Sequence, residues 1–205
     1  MDKQQEGFKK EICNVVTRIN ALKFGVFTLS NDQLSPYYVD LRIVTSFPET
    51  FVRIEKLYQQ VVMRDPQLKE NKRIAGIPTA GTPFAAVLAF YLKKPFLYVR
   101  KDTTHGRQRR VEGILNPGDT VLLIDDLITT GKTIITTADA IRSEGGIVND
   151  ALVLIDRQEG GEAALRDQKI RLHAIIRMSE AAKIFYDMGS IDKNQLNSIL
   201  KQIVL

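Results

Sequence analysis

The chain has 205 residues, of which 44% are hydrophobic and 26% charged, with a formal net charge of +5 and one cysteine. That is enough chain for one domain with a sizeable core, and the single cysteine excludes an intramolecular disulfide framework. No run approaches the roughly 18 unbroken apolar residues of a membrane helix. Met1 to Glu6 mix acid, base and amide, so the N-terminus does not read as a secretory signal. The expectation is a cytoplasmic protein with no membrane partner. The basic excess is spread out apart from Arg100, Lys101 and the stretch Arg107 to Arg110. A polyanionic small molecule explains that stretch as well as nucleic acid would, and no nucleic-acid partner is expected.

Along the chain, Phe8, Ile12, Val15, Val16 and Ile19 have helical spacing over residues 4–20, and Cys13 falls in that pattern as a small core residue. Residues 23–42 hold short β-prone runs broken by Gly25 and Ser30-Asn31-Asp32. Pro48-Glu49 opens an amphipathic helix to residue 64. Strands and helices then alternate: strand Arg73–Ile77, helix Thr82–Tyr91, strand Phe96–Arg100, strand Val121–Ile124, helix Thr133–Glu144, strand Ile147–Ile155, helix Gly161–Asp167 and strand Arg171–Ile176. Helices at 179–188 and 193–203 close the chain. His173 sits in an apolar strand and is read as a buried structural histidine. The pattern predicts an α/β fold, a doubly wound and mostly parallel sheet flanked by helices. Ligands of such sheets bind outside the carboxyl ends of the strands.

The segment Val121 to Thr133 carries the most chemistry. Four apolar residues, Val121 to Ile124, are followed by Asp125 and Asp126, then by Leu127, Ile128 and the turn Thr129-Thr130-Gly131-Lys132-Thr133. Amides and hydroxyls at a helix start cradle an anion, and Gly131 lets backbone approach a phosphate. The two aspartates can accept hydrogen bonds from vicinal ribose hydroxyls, or reach a Mg²⁺ that those hydroxyls help to bind. Gly131-Lys132-Thr133 also looks like the end of a nucleotide P-loop, but that motif requires glycine where this chain has Asp126, and an acid there repels phosphate. An ordinary strand–turn–helix with capping threonines explains Thr129 or Thr130, yet not two adjacent carboxylates at a buried strand end.

The segment resembles the phosphoribosyl-pyrophosphate signature of type I phosphoribosyltransferases. The resemblance implies that Asp125 and Asp126 hold the ribose hydroxyls, that Thr129 through Thr133 wrap the 5′-phosphate, and that Leu127 and Ile128 belong to the same phosphoribosyl-pyrophosphate site. Further segments are similar to the orotate phosphoribosyltransferase family. In Asp156-Arg157-Gln158-Glu159, Arg157 would contact orotate together with Thr129, a planar fork of donors meeting a planar carboxylate. Residues 1–45 would form an N-terminal helix and a hood over the base, with Tyr38 and Val39 flanking orotate. Residues 100–113 resemble a mobile catalytic loop in which Arg100, Lys101 and His105 neutralise pyrophosphate, reaching into the neighbouring subunit of a homodimer.

The resemblance thus implies a single type I phosphoribosyltransferase domain over 1–205. Its substrates would be phosphoribosyl pyrophosphate and orotate, and its cofactor Mg²⁺, bound mainly through substrate. The alternatives are a purine or other base phosphoribosyltransferase and a non-catalytic ligand-sensing paralogue. Three positions depart from the family pattern: Ser30, Thr103 or Thr104, and Ala80 stand where relatives carry lysine. Arg107, Arg109 and Arg110 lie just downstream.

Overall fold

The computed structural model describes residues 3–28, 34–100 and 110–203. Helix α1 (Lys3–Arg18) precedes a hairpin of β1 (Leu22–Thr28) and β2 (Leu34–Val39), and a 3₁₀ turn (Leu41–Ser46) leads into α2 (Pro48–Arg64) and the short α3 (Pro66–Lys69). The α/β part follows as β3 (Arg73–Gly76), α4 (Gly81–Leu92), β4 (Phe96–Val99), β5 (Val111–Glu112), β6 (Thr120–Ile128), α5 (Lys132–Ser143), β7 (Ile147–Asp156), α6 (Gly161–Asp167), β8 (Arg171–Arg177), α7 (Met178–Asp187) and α8 (Lys193–Leu200).

Six strands form one sheet in the order β5-β4-β3-β6-β7-β8, and β1 and β2 pair separately. Every pairing in the large sheet is parallel except β4 with β5. Helices cover both faces because the central strands are apolar on both. Leu122, Ile124, Leu152 and Leu154 enter one core with residues of α1, α2, α4 and α7. Val121, Leu123, Ala151 and Val153 enter the other with residues of α5 and α6. Side chains alternate across a strand, so an unbroken apolar run is what a sheet buried on both sides requires. Each such buried valine, leucine or isoleucine stabilises the fold by about 2 kcal/mol.

The structure revises several boundaries. The strand expected over 121–124 runs on through both aspartates to Ile128, because its backbone keeps pairing with β7: Asp125 lies opposite Val153 and Ile128 opposite Asp156. A ladder of amides tolerates a carboxyl side chain that a hydropathy pattern reads as a stop. Strand β5, the 3₁₀ turn and α3 are too short to carry a period. Asp65 caps α3, its carboxylate accepting from the Gln67 amide at 2.9 Å. His173 is only half-buried; its Nε2 lies 2.8 Å from Asp150 and its Nδ1 3.6 Å from Asp65. Cys13 is buried as expected, and burial pushes its thiol up to about 12. Among the described residues no helix is long and apolar enough to cross a membrane.

Candidate active site

A cleft of about 280 Å³ opens at the carboxyl ends of the central strands. It gathers Asp125 to Thr129, Gly131 and Thr133 from β6 and the start of α5, Tyr38, Val39 and Arg42 from the hood side, Pro78 to Ala80 after β3, and Arg157 after β7. A larger groove of about 680 Å³ runs along the β8 edge and contains none of the site residues expected from the sequence. The smaller cleft is the candidate, since it sits where open parallel sheets bind ligands and holds the convergent polar groups.

Asp125 and Asp126 are almost fully buried at the mouth of β6. The Asp125 carboxylate accepts from the Asp126 amide at 3.0 Å, and that of Asp126 from the Leu127 amide at 2.8 Å. Burial, and next the charge of Asp126, hold the Asp125 carboxyl well above the usual range. Asp126 is also raised by burial, while backbone amides and the positive charge of Arg42 pull it down. Two like-charged groups this close do not both ionise easily without a cation or hydroxyl donors between them. From behind, the Tyr58 hydroxyl donates to the Asp125 carbonyl at 2.6 Å and ties α2 to the strand.

The turn after β3 packs onto this pair. A Cβ on Gly81 would lie 2.2 Å from the Ile124 carbonyl oxygen and 2.9 Å from the Asp125 carboxylate, so only glycine lets α4 start there. The Pro78-Thr79 peptide is cis. On the other side Gly131, at φ 78°, turns β6 into α5. A Cβ there would meet Leu165 at 2.5 Å.

Arg157 is tied in by its backbone, whose amide donates to the Ile128 carbonyl at 3.0 Å, placing it beside the 129–133 turn. The residue is 1% exposed and yet forms part of the cleft wall. The guanidinium pairs with Glu159 at 2.8 Å, donates to the Ser35 hydroxyl at 3.2 Å and lies over the Tyr37 ring at 4.5 Å. Its Nε has no hydrogen-bond partner among the described residues. Burial raises the Glu159 carboxyl even though Arg157 opposes the shift.

Of the hood residues, Tyr38 and Val39 both face the cleft, and Tyr38 stacks on Phe27 with ring centroids 5.5 Å apart. Of the phosphate turn, Leu127, Ile128, Thr129, Gly131 and Thr133 line the cleft, while Thr130 and Lys132 are not part of its wall. Arg100 sits outside that wall at the base of the expected loop, its Nη1 3.4 Å from Glu112. Lys101 and His105, like Ser30, Thr103 and Thr104, lie outside the described residues. Ala80 does face the cleft, so no side-chain cation comes from that position. Among the described residues no group of three or more His, Cys, Asp or Glu side chains assembles a metal cage.

Three participants were missed from sequence. Arg42 reaches the cleft from the start of the 3₁₀ turn, and Thr79 from the turn after β3. Tyr58 supports the aspartate strand from α2. A single arginine, threonine or tyrosine has no spacing to announce it, and only the fold brings these three to the aspartates.

The sequence profile of the phosphoribosyl transferase domain family matches residues 43–181. An orotate phosphoribosyltransferase from Cenarchaeum symbiosum is 39% identical over 180 residues, covering 87% of this chain and 90% of that protein. A uridine 5′-monophosphate synthase from Caenorhabditis elegans is 33% identical over 208 residues and covers the whole of this chain, which spans 41% of that longer protein. The crystal structure of orotate phosphoribosyltransferase from Aeropyrum pernix superposes with a TM-score of 0.76 at 31% identity, over 88% of this chain and 99% of that one.

Proposed function

The chain belongs to the orotate phosphoribosyltransferases, within the phosphoribosyl transferase domain family, and on that premise we propose how its cleft carries out the reaction. The activity is transfer of the 5-phosphoribosyl group from phosphoribosyl pyrophosphate to orotate. It yields orotidine 5′-monophosphate and pyrophosphate, a step in making UMP. One observation supports this reading above the rest: a buried aspartate pair and an anion-cradling turn share a cleft with a buried arginine that keeps an unpartnered Nε.

In this reading the 5′-phosphate rests on the amides and hydroxyls of Thr129 to Thr133, where a helix start favours an anion. Asp125 and Asp126 accept hydrogen bonds from the ribose hydroxyls. Orotate lies against Tyr38 and Val39, and its carboxylate meets Arg157 and Thr129. The pair would also suit Mg²⁺: burial raises both carboxyls, the charge of Asp126 raises Asp125 further, and a divalent cation would relieve both. When bound, that ion would neutralise charge on pyrophosphate.

The C1–oxygen bond of the donor breaks and its electron pair leaves with pyrophosphate. The transition state resembles an oxocarbenium ion, and N1 of orotate forms the new bond from the opposite face, giving up its proton to the departing pyrophosphate or to water. No protein nucleophile is needed, so catalysis consists of positioning and of stabilising the charge that develops on pyrophosphate. Arg100, Lys101 and His105 supply that stabilisation from the 100–113 segment, acting in the partner subunit of a homodimer. The working location is the cytoplasm.

The test is pyrophosphate release from phosphoribosyl pyrophosphate with orotate, uracil, hypoxanthine and adenine in turn. Turnover with orotate alone is expected. A preference for a purine, or no turnover with any base, would refute the assignment.

A further inference from the structure

Resting on that reading, the geometry points to Arg42 as a substrate-contacting residue that grips the pyrophosphate end of the sugar donor. The donor is a polyanion, and the cleft it enters holds two buried carboxyls. Among the described residues only Arg42 and Arg157 bring a cationic side chain to the cleft wall. Arg157 is enclosed, pairs with Glu159 and in this reading takes the carboxylate of orotate, so it is not left for the pyrophosphate. The turn Pro78-Thr79-Ala80 contributes no charge.

Arg42 is built differently. Its side chain is 56% exposed, and its fork is oriented before any ligand arrives. Nε donates to Asp40 at 2.8 Å and Nη2 to the Tyr38 hydroxyl at 2.7 Å, with the guanidinium 5.8 Å from the Tyr38 ring centre. Nη1 donates to no group among the described residues, so a donor edge remains for a phosphoryl oxygen. A planar guanidinium held in this way loses little freedom on binding an anion and can engage two of its oxygens.

The end of the donor follows from which parts of the cleft wall the reading has already assigned. Arg42 shares that wall with Asp126, and Arg157 takes the base. In the proposed binding mode the 5′-phosphate occupies the 129–133 turn and the ribose hydroxyls occupy the aspartates. Of the cationic side chains on that wall among the described residues, Arg42 is then the one left for the phosphoryl oxygens of the substituent at C1, which is pyrophosphate. The competing role is purely structural, with Arg42 propping the Tyr38 phenol against orotate.

Calorimetric titration with inorganic pyrophosphate and Mg²⁺, and separately with orotidine 5′-monophosphate, distinguishes the two. Arg42→Ala should weaken pyrophosphate binding by about ten- to a hundred-fold, the range carried by hydrogen bonds to a charged group. Orotidine 5′-monophosphate binding should change far less. Arg42→Lys should recover part of the loss, and Tyr38→Phe should leave pyrophosphate affinity near wild type. Arg42→Gln serves as a second neutral variant if the alanine protein lacks the native circular-dichroism spectrum. Unchanged pyrophosphate affinity, an equal loss for both ligands, or a Tyr38→Phe variant that reproduces the whole effect would each overturn the inference. So would a wild-type protein that binds no pyrophosphate. The base panel is scored independently. A protein that turns over no orotate but loses pyrophosphate on Arg42→Ala keeps this inference and loses the assigned activity.

Discussion

Arg157 and Glu159 are buried together, and a buried pair behaves asymmetrically. Removing one partner strands the other charge, at about 3–5 kcal/mol, whereas replacing both with apolar groups of similar volume is often neutral. Arg157→Met should therefore lower stability by about 3 kcal/mol in urea unfolding, and adding Glu159→Met should restore most of it. Both proteins should show a raised orotate KM with a smaller change in that for phosphoribosyl pyrophosphate. If the double variant recovers orotate affinity along with stability, Arg157 is a packing residue and not a reader of the base. Glu55 makes a second residue-level case. It is 1% exposed, neither carboxyl oxygen has a hydrogen-bond partner among the described residues, and burial pushes its pKa from 4.5 up to about 9. The folded state thus binds this proton more tightly than the unfolded state. The resulting stability is fully present below pH 4.5 and drains away as the pH rises towards 9, by about 6 kcal/mol at most. Glu55→Gln carries no such proton. Wild type should lose stability relative to Glu55→Gln between pH 5 and 9, as read from urea midpoints, and parallel pH profiles would show that Glu55 is ionised or hydrated in the fold.

At the level of elements, what was legible depended on whether a signal is contiguous. Strands β6 and β7 announced themselves because both of their faces are buried, which leaves unbroken apolar runs. The 125–133 segment was readable for a related reason: strand, acids and turn follow one another in the chain. Strand β5, with two residues, and the 3₁₀ turn that carries Arg42 have no period to read. The hidden part of the site comes from elements distant in sequence, as when α2 delivers Tyr58 to the Asp125 carbonyl. The β6–α5 turn also makes a test of its own. Gly131 adopts φ 78°, and its missing Cβ leaves room for Leu165. Gly131→Ala should cost about 1–3 kcal/mol of backbone strain, and it should raise the KM for phosphoribosyl pyrophosphate more than that for orotate. Adding Leu165→Ala relieves the clash but not the dihedral angle, so affinity for the sugar should stay low. Full recovery in the double variant would place the defect in packing and leave the turn's conformation irrelevant to phosphate binding.

For the whole molecule, one region of surface presents clustered aromatic side chains to water. Helix α4 and strand β4 pack on each other and carry Phe90, 78% exposed, with Tyr91 and Tyr98 also outward. Phe90 meets Tyr91 edge-on, and Phe96 stacks nearly parallel on Tyr98. Clustered exposed aromatics of this kind mark association surfaces. Strand β4 leads directly to Arg100 and the 100–113 segment, so a partner seated on this face would lie next to that segment's base. An isologous two-fold contact would bring each subunit's segment towards the other's cleft, which makes sharing of the site a measurable property. Lys101→Ala disables the segment but leaves the cleft intact, and Asp125→Asn does the reverse. Each variant alone should be nearly inactive. In the proposed homodimer, co-refolding makes half of the dimers hybrids, and each hybrid would hold one site with an intact cleft served by an intact segment. About a quarter of wild-type activity should therefore return. A Phe90→Ser, Tyr98→Ser protein, expected to run as a monomer in light scattering, should show no such recovery when the same two lesions are mixed in its background. Hybrids that stay inactive would mean that each subunit closes its own site and that the aromatic face serves some other contact.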